Sequence, residues 1–338
     1  MKSKTIIIAF IAIVAIAAVS GAFLYKPQNN NVRIGYLPAA SYGLLWVAYE
    51  YNYFEDEGLE VTLVPYPNVA QLVTALSSGS IDGAPITSVA IAAFAKNAEV
   101  VVVAGNSLDG TALIARNGSG INRLEDLSGK SLGTVQQVPG DFIFRKAILH
   151  YGINASFVEY LTPSDALQAL ESSNINATLL WEPYASLAEF RNLSIVLWDE
   201  SVYYTDYPCC LHVFSSSFAK SNPDTVMRFV KALVKAEVFA YDHPGEASLK
   251  VQKYLMSVPL EIIYKSVFFI DPNLNRARNP LSVFFNISDL QAFYQLLVPL
   301  LITQNDYNTL VSKIDASYYE NAISSLKREG FNLPAKYQ

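Results

Sequence analysis

The chain has 338 residues, 51% of them apolar and 16% charged, a composition that builds a sizeable core and excludes intrinsic disorder. Single cores stop growing at roughly 250–300 residues, so the length predicts two domains or lobes. The formal charge of −6 comes with no basic block, which excludes nucleic-acid binding, because phosphate contacts need clustered Lys and Arg.

Residues 5–25 are an uncharged, mostly apolar run flanked by Lys2, Lys4 and Lys26. At about 1.5 Å rise per residue a helix of that length just spans a hydrocarbon core of about 30 Å. Positive charge on its N-terminal side predicts a cytoplasmic start and an exported remainder. Residues 1–26 are therefore read as a membrane anchor or a signal, with Ser20-Gly21-Ala22 as the cleavage site in the second case, and 27–32 as a polar tether. Sequons at Asn117, Asn154, Asn176, Asn192 and Asn286 fit an exported glycoprotein. Much of the surface polarity comes from hydroxyls and amides, which do not titrate at low pH, and this is compatible with an acidic exterior.

Beyond the tether, short β-rich runs alternate with helical stretches, the pattern of α/β folds with crossover helices. Strands are predicted at 33–37, 60–65, 83–86, 99–104, 111–116, 131–135, 157–161, 177–181, 194–199 and 210–215. Gly58 suits the left-handed residue that closes a helix over Phe54–Glu57. Asn222-Pro223 opens another, with Asn as N-cap, Pro in the first turn, and an apolar stripe of Val226, Phe229, Val230, Leu233, Val234 and Val238. From 221 onward the chain reads as almost wholly helical.

Cys209 and Cys210 are neighbours, so no disulfide framework exists, and a bridge between them is strained because relaxed bridges hold Cα atoms about 5.5 Å apart. His150, His212 and His243 lie far apart, and no HExxH, CxxC or EF-hand loop occurs, so no metal site is expected. Neither GxGxxG nor GxxxxGK[ST] offers a phosphate cradle.

The run Tyr53-Phe54-Glu55-Asp56-Glu57-Gly58-Leu59-Glu60-Val61 resembles the segment before the second strand in the nitrate/sulfonate/taurine/thiamine-precursor family of ABC-transporter solute-binding proteins. The resemblance continues, in the family's order, through Ala75–Asp82, Leu124–Lys130, Pro163–Ala166, Trp181–Tyr184 and Asn222–Asp224. It implies a periplasmic-binding-protein-like type II fold of two α/β lobes joined by two crossing strands. Residues 33–114 and 211–338 would form lobe 1, and 115–210 lobe 2. It further implies a monomer that uses no cofactor, catalyses nothing, and hands a small-molecule ligand to an ABC permease driven by a cytoplasmic ATPase. Two alternatives stand beside that reading: an enzyme of the thiamine-pyrimidine synthase type on the same fold, and a membrane-anchored ligand sensor. Those synthases carry a cysteine-rich stretch near this place and use a histidine and a lysine-bound pyridoxal phosphate in the N-terminal lobe. This chain has no histidine before His150, and a shared fold does not supply an enzyme's site.

Ligands in open parallel sheets collect beyond the carboxyl ends of strands. The candidates there are Tyr36, Ser41 and Tyr42 after the first strand, Thr87 and Ser88, Gln136 and Gln137, Trp181 and Glu182, and Cys209. Each has a plainer reading. Thr87 or Ser88 is an N-cap, Ser41, Tyr42, Gln136 and Gln137 are loop polarity, Trp181 is core, Glu182 caps a helix or pairs at a hinge, and Cys209 is a small buried side chain. The cleft loops hold Asp109, Asp141, Glu182 and Asp206 but no Lys or Arg. Acids with aromatic neighbours suit an organic ligand bearing an amine or a ring, such as an aminosulfonate or a thiamine-pyrimidine precursor, over bare nitrate or bicarbonate.

Overall fold

A computed structural model of the protein describes residues 29–337 except 95, 96, 136, 137, 200, 201, 203 and 299. The expected anchor at 1–26 lies outside the described residues, and among the described residues no helix is long and apolar enough to cross a membrane.

All ten predicted strands form, in two five-stranded mixed sheets. The first contains β1 (Asn31–Tyr36), β2 (Glu60–Pro65), β3 (Gly83–Thr87), β4 (Val100–Leu108) and, from much later in the chain, β10 (Pro208–Ser215), ordered β2-β1-β3-β10-β4. The second contains β5 (Thr111–Arg116), β6 (Ser131–Val135), β7 (Ser156–Tyr160), β8 (Ala177–Trp181) and β9 (Leu193–Trp198), ordered β7-β6-β8-β5-β9. β1 runs parallel to β2 and β3, and β6 to β7 and β8, whereas β10 and β5 run antiparallel to both their neighbours. The chain leaves the first sheet at Asp109-Gly110 and is back in it at Pro208, after β9 ends at Trp198.

Helices α1 (Gly43–Glu50), α2 (Tyr53–Asp56), α3 (Val69–Ser77) and α4 (Ser88–Phe94) connect the strands of the first sheet. Those of the second are joined by α5 (Pro139–His150), α6 (Pro163–Glu171) and α7 (Tyr184–Phe190). After β10 come α8 (Ser216–Ser221), α9 (Pro223–Asp242), α10 (Pro244–Gln252), α11 (Leu260–Val267), α12 (Ile287–Leu296), α13 (Gln304–Val311) and α14 (Ser317–Arg328). The near-continuous apolar run of β5 is explained by burial on both faces. Ala112 and Ile114 enter one core with Leu167, Leu170 and Leu180, while Leu113 and Ala115 enter the opposite core with Phe144 and Ala147. The α9 stripe packs as its spacing predicts, with Phe54 stacked on Phe229 at 4.9 Å between ring centroids. Gly58 takes its left-handed turn at φ +69°.

Two expectations differ. Asn222 precedes α9 but does not cap it: its side chain instead accepts from the Asn29 amide at 2.8 Å and donates to the Phe218 carbonyl at 3.1 Å. The region after 221 is also not wholly helical. Residues 268–286 leave the helical pattern, and Pro280–Val283 lies along the outer edge of β4. The Leu108 amide donates to the Pro280 carbonyl at 2.9 Å, Ser282 to Asn106 at 3.0 Å, and Gly105 to Val283 at 3.2 Å. Pro280 cannot donate to a helical ladder, which favours this edge arrangement. Gly105 permits the close approach, because a Cβ there would lie 2.3 Å from the Phe284 carbonyl oxygen and 2.8 Å from that of Ser282. Both neighbours are backbone, so Gly105→Ala is expected to cost about 1–3 kcal/mol by overpacking. Urea unfolding of the variant checks this, and an unchanged midpoint would refute it.

Candidate ligand-binding site

The parallel strands β1, β2 and β3 end at the edge of the first sheet where β4 also ends and antiparallel β10 begins. There Cys210 pairs with Thr87 on one side and Ser107 on the other, bringing three polar side chains of adjacent strands onto one face. The register slips on both sides of this row. Pro208 faces Leu108 while Cys210 faces Ser107, leaving Cys209 as an extra residue in β10; Leu211 faces Gly105, leaving Asn106 extra in β4. Bulges break the alternation of a strand and re-aim its side chains, often beside functional sites. Here they gather Cys209, Cys210, Asn106 and Ser107 at one place.

The turn Ala40–Tyr42, which precedes α1, covers this cluster. Asn106 Nδ2 donates to the Ser41 carbonyl at 2.8 Å, and the Sγ atoms of Cys209 and Cys210 lie 3.7 Å apart. Ser41, Tyr42, Thr87, Ser88, Asn106 and Ser107 are all buried. Among the described residues, Ser88 Oγ and Asn106 Oδ1 have no hydrogen-bond partner. A buried polar atom left unpartnered costs about 1–3 kcal/mol, and such atoms in native folds often mark sites whose partner is a ligand or an ion. Thr87 caps locally, its Oγ1 accepting from the Ala90 amide at 3.2 Å, while also standing in the strand-end row. Burial, with the two cysteines nearby, pushes the Tyr42 hydroxyl well above its ordinary range, so it stays a neutral donor. A cavity of about 280 Å³ opens beside the row, touched by Asn106, Ser107 and Cys210. A second, of about 490 Å³, lies between α4 and α5, with Val89, Asp141 and Phe142 among its walls.

Other candidates sit apart from this cluster. Tyr36 ends β1 half-buried, edge-on to Trp46 at 5.7 Å and to Tyr254 at 5.9 Å. Trp181 ends β8 half-buried against Tyr184 at 6.2 Å. Gln136 and Gln137 lie outside the described residues. Glu182 is 1% exposed and turned into a joint between α7 and α11. Its carboxylate accepts from the Ser186 amide (3.1 Å) and hydroxyl (2.7 Å) and from the Ser266 hydroxyl (3.1 Å). Burial pushes this carboxyl up, while the Ser186 contacts and the nearby Arg278 charge pull it down.

Of the four acids of the strand-end loops, Asp109, Asp141 and Asp206 have guanidinium partners and Glu182 lies within the field of one, which changes the electrostatic reading. Arg145 Nε lies 2.8 Å from Asp141 Oδ1, Arg276 Nη2 lies 2.6 Å from Asp109 Oδ2 and also pairs with Asp206, and Arg278 is beside Glu182. The expectation of unopposed acidic charge is therefore corrected. Arg276 and Arg278 escaped sequence reasoning because they arrive from a segment far along the chain. The one available sign was Asn275–Pro280, a polar, proline-ended run without a helical stripe. Asn106–Asp109 and Tyr207–Cys210 are strand-end positions by sequence, but Asn106, Ser107 and Cys210 were not singled out within them because bulges leave no mark in periodicity.

Two helix-covered mixed sheets, linked twice, with an unsatisfied polar cluster at strand ends, have the type II periplasmic-binding-protein architecture. Among solved structures, the nitrate-binding protein NrtA from Synechocystis PCC 6803 is similar with a TM-score of 0.75 at 15% identity, covering 93% of each chain. The aliphatic sulphonate binding protein SsuA from Escherichia coli is similar with a TM-score of 0.67 at 18% identity, covering 84% of this chain and 92% of that one. Residues 25–253 match the NMT1-like family, and the chain belongs to it. In sequence it is 28% identical over 260 residues to a Bacillus subtilis chain named as an aliphatic sulfonates-binding protein, covering 73% of this chain and 76% of that relative. These three relatives bear the names of binding proteins, not of enzymes.

Proposed function

We propose that this protein is a solute-binding protein that delivers an organosulfonate, with or without an amino group, to an ABC importer. The observation that carries this reading is the buried Ser88 hydroxyl, without a partner among the described residues and free to donate to a sulfonate oxygen; the unpartnered Asn106 Oδ1, beside the cavity, only accepts and suits the amino group of an aminosulfonate. Hydroxyl and amide groups hold a sulfonate without a counter-charge when burial strengthens each contact. The arginines beside the four acids remove the repulsion that would oppose an anion, and with it the reason to prefer a cationic ligand or a pyrimidine precursor. The sulfonate-binding names of relatives in sequence and fold support the same class.

Ser41, Tyr42, Thr87 and Ser88 hold the sulfonate head group in this proposal, and Asn106 Oδ1 accepts from the ligand's amino group where it has one. Tyr36, Trp181 and Cys209 line the approach. Glu182 serves the joint. The two sheets act as lobes, 31–108 with 208–337 and 111–198, so the expected boundaries at 114 and 211 move to the strand ends, and contacts made from both favour the closed state. Residues 1–26 keep the protein on the outer face of the membrane, where a permease and its ATPase receive the ligand.

Titration calorimetry with taurine, an alkanesulfonate, nitrate, bicarbonate and a pyrimidine precursor tests the ligand class; binding of nitrate alone, or of the pyrimidine alone, would overturn it. Ser88→Ala separates function from structure. Removing an unpartnered buried hydroxyl is expected to raise the thermal midpoint of the free protein while weakening sulfonate binding about 10-fold. A lower midpoint with unchanged affinity would make Ser88 a structural residue.

A further inference from the structure

We propose that Cys209 and Cys210 form a reversible dithiol–disulfide pair, oxidised by hydroperoxides that enter the cavity beside the strand-end row. This inference stands whether or not a sulfonate binds. Adjacent residues in a regular strand point to opposite faces. Here the bulge at Cys209 cancels that alternation and leaves the two Sγ atoms 3.7 Å apart. Both cysteines are free, Cys209 half-buried and Cys210 buried. Cys210 touches the 280 Å³ cavity, several times the roughly 30 Å³ share of one water, so a molecule of hydrogen peroxide fits.

The surroundings divide the labour between the thiols. The Cys210 thiol is held below its ordinary range by the Cys209 thiol, against the opposing effect of burial, while Cys209 is pushed up by the same contact and by burial. Cys210, which lines the cavity while Cys209 does not, is the nucleophile that meets the peroxide, reacting as its thiolate. Its sulfur attacks one oxygen of the peroxide, the O–O bond breaks, and the departing hydroxide takes a proton to leave as water. The sulfenic acid so formed on Cys210 is then attacked by Cys209, which loses its proton. The S–O bond breaks, the S–S bond forms, and a second water leaves. Two thiols and one hydrogen peroxide become one disulfide and two waters, the thiols oxidised by two electrons and the peroxide reduced by two. A bridge between neighbours is strained, and strained bridges are the readily reduced, regulatory kind, so a dithiol reductant restores the pair.

Peptide mapping of the folded protein tests this. The protein is exposed to equimolar hydrogen peroxide, quenched, unfolded and alkylated. The expected result is joint loss of both alkylatable thiols from the peptide holding residues 209 and 210, its mass lower by two hydrogens, and recovery of the doubly alkylated peptide after dithiothreitol. Met256, 86% exposed, takes up oxygen on a different peptide and does not confuse the reading. In Cys209→Ser the sulfenic acid has no resolving thiol, so dimedone is expected to trap it on Cys210. Both thiols still alkylated after peroxide, or Cys209 alone carrying oxygen while Cys210 is alkylated, would overturn the proposal.

Discussion

Replacing Arg278 with methionine is expected to cost about 3–5 kcal/mol of folding stability at neutral pH, the range seen when one partner of a buried charge pair is removed. Arg278 is 6% exposed and spans three acids. Its Nε lies 3.0 Å from Asp271 Oδ2, its Nη1 lies 2.8 Å from Glu189 Oε2 and 3.0 Å from Ser186 Oγ, and its charge acts on Glu182. Methionine fills comparable volume but leaves Asp271 and Glu182, 5% and 1% exposed, without their cation. The same contacts tie the segment after β10 to the second sheet. Ser266 on α11 reaches Glu182 at 3.1 Å, and Lys265 reaches Glu189 on α7 at 2.7 Å. Losing Arg278 should therefore loosen one sheet against the other as well as lower the unfolding midpoint. Adding Glu182→Gln to Arg278→Met removes the stranded charge and should restore part of the loss, with a coupling of about 0.5–3 kcal/mol. Denaturant unfolding of the two single variants and the double variant measures the cycle. Simple additivity, or a single-variant loss below about 1 kcal/mol, would show that the cluster does not act as a unit.

How much of this was legible in the sequence depends on the range of the physics involved. Strands such as β5 and β8 were readable because β-branched and apolar runs bounded by turn residues report local burial, and that burial is what the sheet delivers. α9 was readable because its stripe at helical spacing is also its buried face. The Pro280–Val283 edge segment was not, since it exists through Gly105, and a glycine in a strand does not announce which backbone will approach it. The site was half legible. Strand-end logic reached Thr87, Ser88, Ser41, Tyr42 and the segment Asn106–Asp109, while the bulge that singles out Asn106 and the arginines beside the acids depend on tertiary pairing. Counting charges along the cleft loops misled for the same reason. Arg276 lies far from Asp109 and Asp206 in sequence yet pairs with both.

Acid should weaken the fold from about pH 6.5 downward, and His212 is expected to dominate that loss between pH 6.5 and 5. His212 sits at the centre of β10, 1% exposed, paired with Pro85 of β3 and Ala104 of β4 and edge-on to Phe229 at 5.7 Å. Its Nε2 has no partner among the described residues, and burial pushes its pKa down to about 3. Because the folded value lies below the unfolded one, the unfolded chain takes up a proton in this window that the native state refuses. Stability is then full above about pH 6.5 and falls by about 1.4 kcal/mol per pH unit as acid is added, until the native imidazole also charges near pH 3. The carboxylates held low, Glu50 and Glu189 chiefly by cations and Asp271 by the Asn273 amide and then Arg278, add their losses only at more acidic pH. Glu182 and Asp141, held high by burial, act in the opposite sense, because the native state binds their protons first. His212→Leu should therefore stay within about 1 kcal/mol of the parent at pH 7 and exceed it by roughly 2–3 kcal/mol at pH 4.5. Guanidinium unfolding at pH 7, 6, 5 and 4.5 compares the two profiles. Curves that remain parallel across the series would mean that the imidazole is already charged or hydrated in the folded state, and that β10 tolerates a cation in the middle of its core.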